Sequence, residues 1–157
     1  MSGPGPERDI VKAYEYINLG RDAQAMALLT AMLTAHPDLA GEIHLAMATA
    51  HSAAHRQAEG VAAARVAVQH LPDDARTHAV LGMLLHESAK PRQALASLER
   101  SLALDPDVAT THQQCAMVLT DLFRRRRGEE SARRAIALDP DDPGSWFVLG
   151  YALHGRD

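Results

Sequence analysis

Apolar residues recur along the chain at intervals of three and four, the spacing of one helix face. In the segment RQALASLERSLAL, for example, Ala94, Leu95, Leu98 and Leu102 fall on such a face, which predicts an amphipathic α-helix. The sequence has no alternating run of Val, Ile, Thr and aromatic residues long enough to predict a sheet. The pattern therefore predicts an all-α protein.

Proline interrupts these helical segments at a constant interval. Pro72, Pro106 and Pro140 are 34 residues apart, and Pro37 precedes Pro72 by 35 residues. Two further columns that keep the period are His44, His78, His112 and Trp146, and Ala48, Gly82, Ala116 and Gly150. A period of this length predicts a repeat architecture in which each unit is a pair of helices.

The recurrent motif LDPD is interpreted as a helix end followed by a helix start. Proline cannot continue a helix, and Asp107 is expected to cap the next helix through its carboxylate. Pro91 is expected in the first turn of a helix, where proline is tolerated. The extra residue between Pro37 and His44 is expected in the turn and not in a helix.

Two stretches resemble the tetratricopeptide repeat. Trp146-x-x-Leu149-Gly150-x-x-Leu153 is similar to the first helix of that repeat, and Ala94-x-x-x-Leu98 with Pro106 is similar to its second helix and terminator. Tyr16, Ala25, Leu29 and Pro37 occupy matching columns in the first unit. The resemblance implies an α-solenoid of stacked antiparallel helix pairs in a right-handed superhelix, with about four full repeats and one extra C-terminal helix.

These boundaries define the expected domain organisation. Residues 1–6 are rich in Gly and Pro, so a disordered N-terminal segment is expected there. A repeat domain is expected over residues 7–157, with repeats at about 7–38, 41–73, 75–107 and 109–141 and a partial repeat at 143–155.

The first helix of each pair carries a second stripe of residues at i, i+4 and i+7, beside the positions that pack between helices. The resemblance implies that this stripe lines a concave groove that binds another protein. Candidate groove residues, with Arg76 added from its edge, are Tyr14, Ile17, Leu45, Thr49, Arg76, Met83, His86, Gln113, Met117, Phe147 and Tyr151. Methionine adapts to varied partners, so the groove would suit a helix or an extended apolar peptide. The alternative is that some of these residues pack between helices.

Charge offers a different interpretation of function. The net charge of −4 is ordinary, but Arg124, Arg125, Arg126 and Arg127 form a basic patch at a predicted turn. This patch could dock an anionic partner electrostatically, although a solvated turn is the simpler interpretation. Nucleic acid is not expected as a partner, because aromatic residues do not alternate with the arginines.

The sequence contains no catalytic motif, so an enzyme is not expected. His51 and His55 have a zinc-compatible spacing but lack further ligands nearby, and Cys115 is expected to be a buried, inert side chain. No cofactor and no metal are therefore expected. A regulatory or targeting segment of a longer enzyme is a third alternative.

The C-terminal helix is apolar nearly all round, in WFVLGYAL. The fifth repeat has a first helix but no second helix in the repeat pattern. We expect either self-association through this end, giving a homo-oligomer, or further sequence beyond it. No apolar run is long enough to span a membrane, and the N-terminus does not have the pattern of a secretory signal. A cytoplasmic location is expected.

Overall fold

The computed structural model describes residues 5–154, and this part of the chain consists of helices joined by short turns. The helices are α1 Pro6–Asn18, α2 Asp22–Ala35, α3 Ala40–Ala53, α4 Gln57–His70, α5 Ala75–Glu87, α6 Pro91–Leu104, α7 Ala109–Asp121, α8 Arg125–Leu138 and α9 Pro143–Leu153. No strand occurs within residues 5–154, so the all-α prediction is confirmed. The predicted disorder falls mainly on residues 1–4, which lie outside the described residues, and α1 begins at Pro6.

The chain divides into two compact units, Met1–Val80 and Leu81–Asp157, with the division inside α5. In unit 1, α1 packs on α2, α3 packs on α4, and α3 also contacts both α1 and α2. In unit 2, α7 packs on α8, and α9 contacts both of these helices. Each unit is thus built from helix pairs whose first helices also touch one another.

Small residues allow these helices to approach closely. In unit 1 the fully buried residues include Ala46, Ala64 and Ala67, together with Leu29 and Ile43. The core of unit 2 contains fully buried Leu84, Leu98, Val118, Ala116 and Ala132. Alanine has the highest helix propensity and leaves room for a neighbouring backbone, so the alanine content explains both the helices and their close packing.

The turn inside each of the first four pairs uses one residue with positive φ. These residues are Gly20, His55, Ala89 and Phe123, with φ between 55° and 67°. The next residue donates its backbone N–H five positions back, as Lys90 does to the Leu85 carbonyl at 2.9 Å. This pattern is the Schellman motif, which satisfies the last carbonyls of a helix.

In the turns between pairs, the residue that caps the next helix lies one position later than predicted. Asp142 caps α9, because its carboxylate accepts the backbone N–H of Ser145 at 2.7 Å. Asp107 does not cap α7, whose N-cap residue is Val108 without a side-chain hydrogen bond. A cap must directly precede the helix, and α7 begins two residues after Asp107. The carboxylate of Asp107 instead accepts a hydrogen bond from Arg134 at 2.6 Å.

Three members of the histidine and tryptophan column, His78, His112 and Trp146, have a shared structural role. His78 Nε2 donates to the Pro72 carbonyl and His112 Nε2 donates to the Pro106 carbonyl, both at 2.8 Å. Trp146 Nε1 donates to the Pro140 carbonyl at 2.9 Å. Histidine replaces tryptophan here because both rings carry an N–H that reaches a carbonyl six residues earlier.

The extra residue in the first period lies at a helix start, which corrects the prediction that it lies in the turn. A short 3-10 helix at Pro37–Leu39 leads directly into α3, which has 14 residues where α5 and α7 have 13. A residue added at the N-terminal end of a helix leaves the phase of the following residues unchanged. The turn therefore keeps its length and the helix absorbs the insertion.

Candidate functional site

The groove stripe of unit 1 is partly buried. Ile17 is 7% exposed and packs with Ala25 and Ala50, and Leu45 is 4% exposed. These two predicted groove residues therefore pack between helices and offer almost no surface to a partner. Tyr14 and Thr49 are half-buried, so they are the part of this stripe that remains accessible.

Tyr14 on α1, Thr49 on α3 and Arg76 at the start of α5 lie close together in unit 1. Burial raises the pKa of Tyr14, and a hydrogen bond with Thr49 and the charge of Arg76 partly offset this effect. Arg76 also forms an ion pair with Asp74 at 2.5 Å, and this hydrogen-bonded pair lowers the pKa of Asp74. Arg76 is thus an exposed cation whose charge is already matched by a neighbouring carboxylate.

Unit 2 brings five of the six predicted residues of its stripe together in one open depression, whereas the sixth, Tyr151, lines a different cavity. Met83 on α5, Met117 on α7 and Phe147 on α9 line a cavity of about 280 Å³, with His86 and Gln113 at its edge. We call this depression the unit 2 groove. Met83 and Met117 are half-buried, whereas Phe147 is 66% exposed, so apolar surface from three helices faces solvent at one place.

Two polar ties fix the edges of the unit 2 groove. Asp121 at the end of α7 lies 2.6 Å from His86 Nε2 and accepts the hydroxyl of Tyr151 at 2.7 Å. This acceptor raises the pKa of Tyr151. Asp121 thereby connects side chains from α5 and α9, a role that its sequence position gave no reason to expect.

The second tie involves Gln113, whose amide nitrogen donates to Asp142 and, at 2.8 Å, to Ser145 Oγ. Hydrogen bonds from Ser145, Gly144 and Gln113 lower the pKa of Asp142. The predicted groove residue Gln113 therefore connects α7 to the capped start of α9. Its amide N–H is occupied in this arrangement, so it positions the groove wall.

Two of the four arginines of the basic patch are paired with carboxylates. Arg126 lies 3.5 Å from Glu130, and Arg127 lies 2.8 Å from Glu99. Arg125 lies 5.9 Å from the ring of Phe123, within cation–π range. Within the patch Arg124 precedes the helix, whereas Arg125–Arg127 form the first turn of α8, which corrects the prediction that the patch lies in a turn. The two ion pairs leave less free positive charge than the sequence indicates.

The remaining candidates for chemistry behave as packing residues. Cys115 is 2% exposed, and burial raises the pKa of its thiol to about 12, which explains its predicted inertness. Within residues 5–154, no three His, Cys, Asp or Glu side chains come together as metal ligands. None of the helices in the described part of the chain is both long enough and apolar enough to cross a membrane.

Stacked helix pairs with short turns define the class of α-solenoids. Residues 75–108, which contain α5 and α6, match the sequence model of the tetratricopeptide repeat family. The resemblance of the chain to that family is thereby confirmed. No curated protein matches the sequence.

Solved structures confirm the fold class over nearly the whole chain. MamA has a TM-score of 0.80 and 17% sequence identity, covering 92% of this chain and 84% of that chain. PilF of Pseudomonas aeruginosa has a TM-score of 0.85 and 18% sequence identity, and the match covers 94% of this chain and 67% of PilF. TTC0263, a thermophilic TPR protein of Thermus thermophilus, has a TM-score of 0.79 and 20% sequence identity, and the match covers 94% of this chain and 81% of TTC0263. Identities this low show a shared fold only.

Proposed function

We propose that this chain is a non-enzymatic protein-interaction module that binds a peptide or helical segment of another protein in the unit 2 groove. The observation that carries the proposal is the apolar floor formed by Met83, Met117 and Phe147. Helix-pair repeats present extended surfaces of this kind, which other proteins occupy.

The chemistry of the groove favours an apolar segment with a polar edge. Methionine side chains adjust to partners of different shape, and an exposed phenylalanine gains most when a partner covers it. The neighbouring Glu87 and Asp121 are exposed and can bond to polar groups at the rim. An amphipathic helix fits this arrangement, because its apolar face covers the floor while its polar face remains in water.

Unit 2 is the better candidate because its stripe is accessible. Ile17 and Leu45 of unit 1 are at least 93% buried, so a partner cannot contact them without opening the core. Tyr14, Thr49 and Arg76 of unit 1 are accessible and remain candidates for a more polar contact. The localisation of the chain in the cytoplasm stays a prediction.

Substitution of Phe147 by Asp tests the groove. Phe147 is exposed, so Phe147→Asp should leave the fold intact while placing a charge on the apolar floor. The matched control is Phe123→Asp, since Phe123 is the other phenylalanine of the chain and is 80% exposed outside the groove. Tagged wild type and both variants are cross-linked to cell proteins, and the captured proteins are compared by quantitative mass spectrometry.

We expect a defined set of partners with wild type and Phe123→Asp and at least tenfold less of that set with Phe147→Asp, in line with the energy of a buried aromatic anchor, about 2 kcal/mol. Met117→Asp should give the same loss. Circular dichroism must show unchanged helicity for the variants. Equal capture by Phe147→Asp and wild type would show that the groove assignment is wrong.

The electrostatic alternative makes a different prediction. Binding through Arg124–Arg127 should weaken steeply with salt and should be lost in Arg126→Glu. The ion pairs of Arg126 and Arg127 with glutamates count against this alternative. Capture that is unchanged by Arg126→Glu and by 0.1 to about 0.5 M NaCl supports the groove.

A further inference from the structure

Helix α9 has a second exposed face, distinct from the side that carries Phe147 and Tyr151. This α9 outer face consists of Trp146, Leu149, Gly150 and Leu153. Trp146 is 55% exposed, Gly150 is exposed, and no atom lies within 4 Å of the position that a Gly150 Cβ would take. Leu149 and Leu153 are half-buried.

The same repeat column is covered in the two preceding pairs, α5–α6 and α7–α8. A Cβ on Gly82 would lie 2.6 Å from Leu98 Cγ and 3.2 Å from the Ala94 carbonyl of α6. In the α7–α8 pair the small residue lies on the second helix, where a Cβ on Gly128 would lie 3.1 Å from the Ala116 carbonyl. In both pairs, therefore, a second helix with a small residue or leucine lies directly on this face.

Charged residues also mark where a second helix should lie. Asp107, just before α7, accepts a hydrogen bond from Arg134, the tenth residue of α8, at 2.6 Å. Asp141 occupies the equivalent position just before α9, and it is exposed. An arginine ten residues into an incoming helix would therefore meet a carboxylate, as Arg134 does.

We propose that the α9 outer face binds an α-helix of another protein, antiparallel to α9. This helix places a small residue and, four positions later, a leucine against Gly150, and it carries an arginine that pairs with Asp141. The surface extends the series of contacts that α6 makes with Gly82 and α8 makes with Ala116, and it is separate from the unit 2 groove.

A second copy of this chain fits the face less well. Its helix α6 already buries Ala94 and Leu98 completely in its own unit. Its α9, Pro143–Leu153, would have to pair with α9 of the first copy. Such a pair presents no arginine to Asp141, because α9 contains none.

The chain itself supplies a probe with the required chemistry. A peptide of residues 91–104, PRQALASLERSLAL, contains Ala94, Leu98 four positions later and Arg100 as its tenth residue. The peptide is acetylated and amidated to favour a helix, because isolated helices of this length are marginal. Trp146 is the only tryptophan of the chain, so its fluorescence reports occupation of the α9 outer face directly.

We expect a saturable blue shift of Trp146 emission when the peptide is titrated into the full chain. Gly150→Leu should abolish the shift by filling the space beside Gly150 that the incoming helix would occupy. Because this space is open, the variant should still fold. Ala62→Leu, at an exposed position of α4, is the control for an added leucine. An unchanged affinity in Gly150→Leu would overturn the proposal.

Charge reversal tests the second contact. Asp141→Arg should weaken the peptide by about tenfold, and a peptide with Arg100→Asp should restore the affinity to within about threefold of the original pair. Asp139→Arg, two residues away, is the control and should have a smaller effect. Equal effects at Asp139 and Asp141 would contradict the proposed orientation of the helix.

The fluorescence of Trp146 also distinguishes self-association from the binding of another protein's helix. If Trp146 emission shifts with protein concentration in the absence of peptide, and sedimentation shows a dimer that Gly150→Leu disrupts, then a second copy covers the face and the proposal is wrong. If no titration produces a shift, the proposal is also wrong. The Phe147→Asp variant should bind the peptide as wild type does, which separates this surface from the groove.

Discussion

The two units carry the same stripe of positions on their first helices, but they bury it to different extents. Ile17 and Leu45 in unit 1 are 7% and 4% exposed, whereas Phe147 and Tyr151 in unit 2 are 66% and 43% exposed. The repeat period places all four side chains on equivalent helix faces. Neighbouring helices then decide whether such a face becomes core or surface, and only the exposed version can bind a partner.

The largest effect should come from truncating the buried version of the stripe. Leu45→Ala removes a nearly fully buried side chain and should lower the free energy of unfolding by about 2–4 kcal/mol. Met117→Ala, at a half-buried position, should cost about 1 kcal/mol, because less surface is lost from the core. Urea unfolding followed by circular dichroism measures both, and equal losses would contradict the difference in burial.

Two glycines of one column should respond with opposite signs. Gly82→Ala forces a Cβ to within 2.6 Å of Leu98 Cγ and should destabilise the chain by about 1–3 kcal/mol. Gly150→Ala has open space around the new methyl group, so it should stabilise by up to about 1 kcal/mol through helix propensity. The change in urea midpoint gives each sign, and stabilisation by Gly82→Ala would show that the tight contact is absent.

The ring hydrogen bonds differ between the first period and the later ones. His78→Phe and His112→Phe remove the donor to a proline carbonyl and should each cost about 1 kcal/mol of unfolding free energy. His44 follows the extra residue, and its Nδ1 is buried without a hydrogen-bond partner among the described residues. His44→Phe should therefore be neutral or stabilising, and thermal melting of the three variants should separate them.

The smallest effect should be a pH dependence that originates in unit 1. Burial, with repulsion from His70, lowers the pKa of His44 below its ordinary value of 6.5, and burial also lowers that of His51. The unfolded chain then binds protons more tightly, so stability is complete above about pH 7 and is lost as the pH falls from there. His44→Phe should reduce the change in urea midpoint between pH 7.5 and about 5.5. If the midpoint of this variant changes with pH as much as that of wild type, other groups cause the pH dependence.

Local chemistry was sufficient to predict the helices and their grouping. Helical spacing, proline and a 34-residue period depend on residues that are near in sequence, and these signals predicted the helix pairs, the position of Pro91 and the burial of Cys115 correctly. The cap at Asp107 was predicted one residue too early, since the motif alone does not show where the helix begins. The insertion after Pro37 was misplaced because turns and helix ends share the same residue types.

The candidate site depended on contacts between residues far apart in the chain. The period indicated that Met83, Met117 and Phe147 occupy equivalent faces, and the structure brings them to one cavity in unit 2. The sequence alone did not distinguish Leu45, which is buried, from Phe147, which is exposed, although both belong to the same stripe. It also gave no sign that Asp121 connects His86 to Tyr151. A periodic sequence determines which way a side chain points from its own helix, but burial and pairing depend on which other helices arrive there, and only tertiary packing decides that.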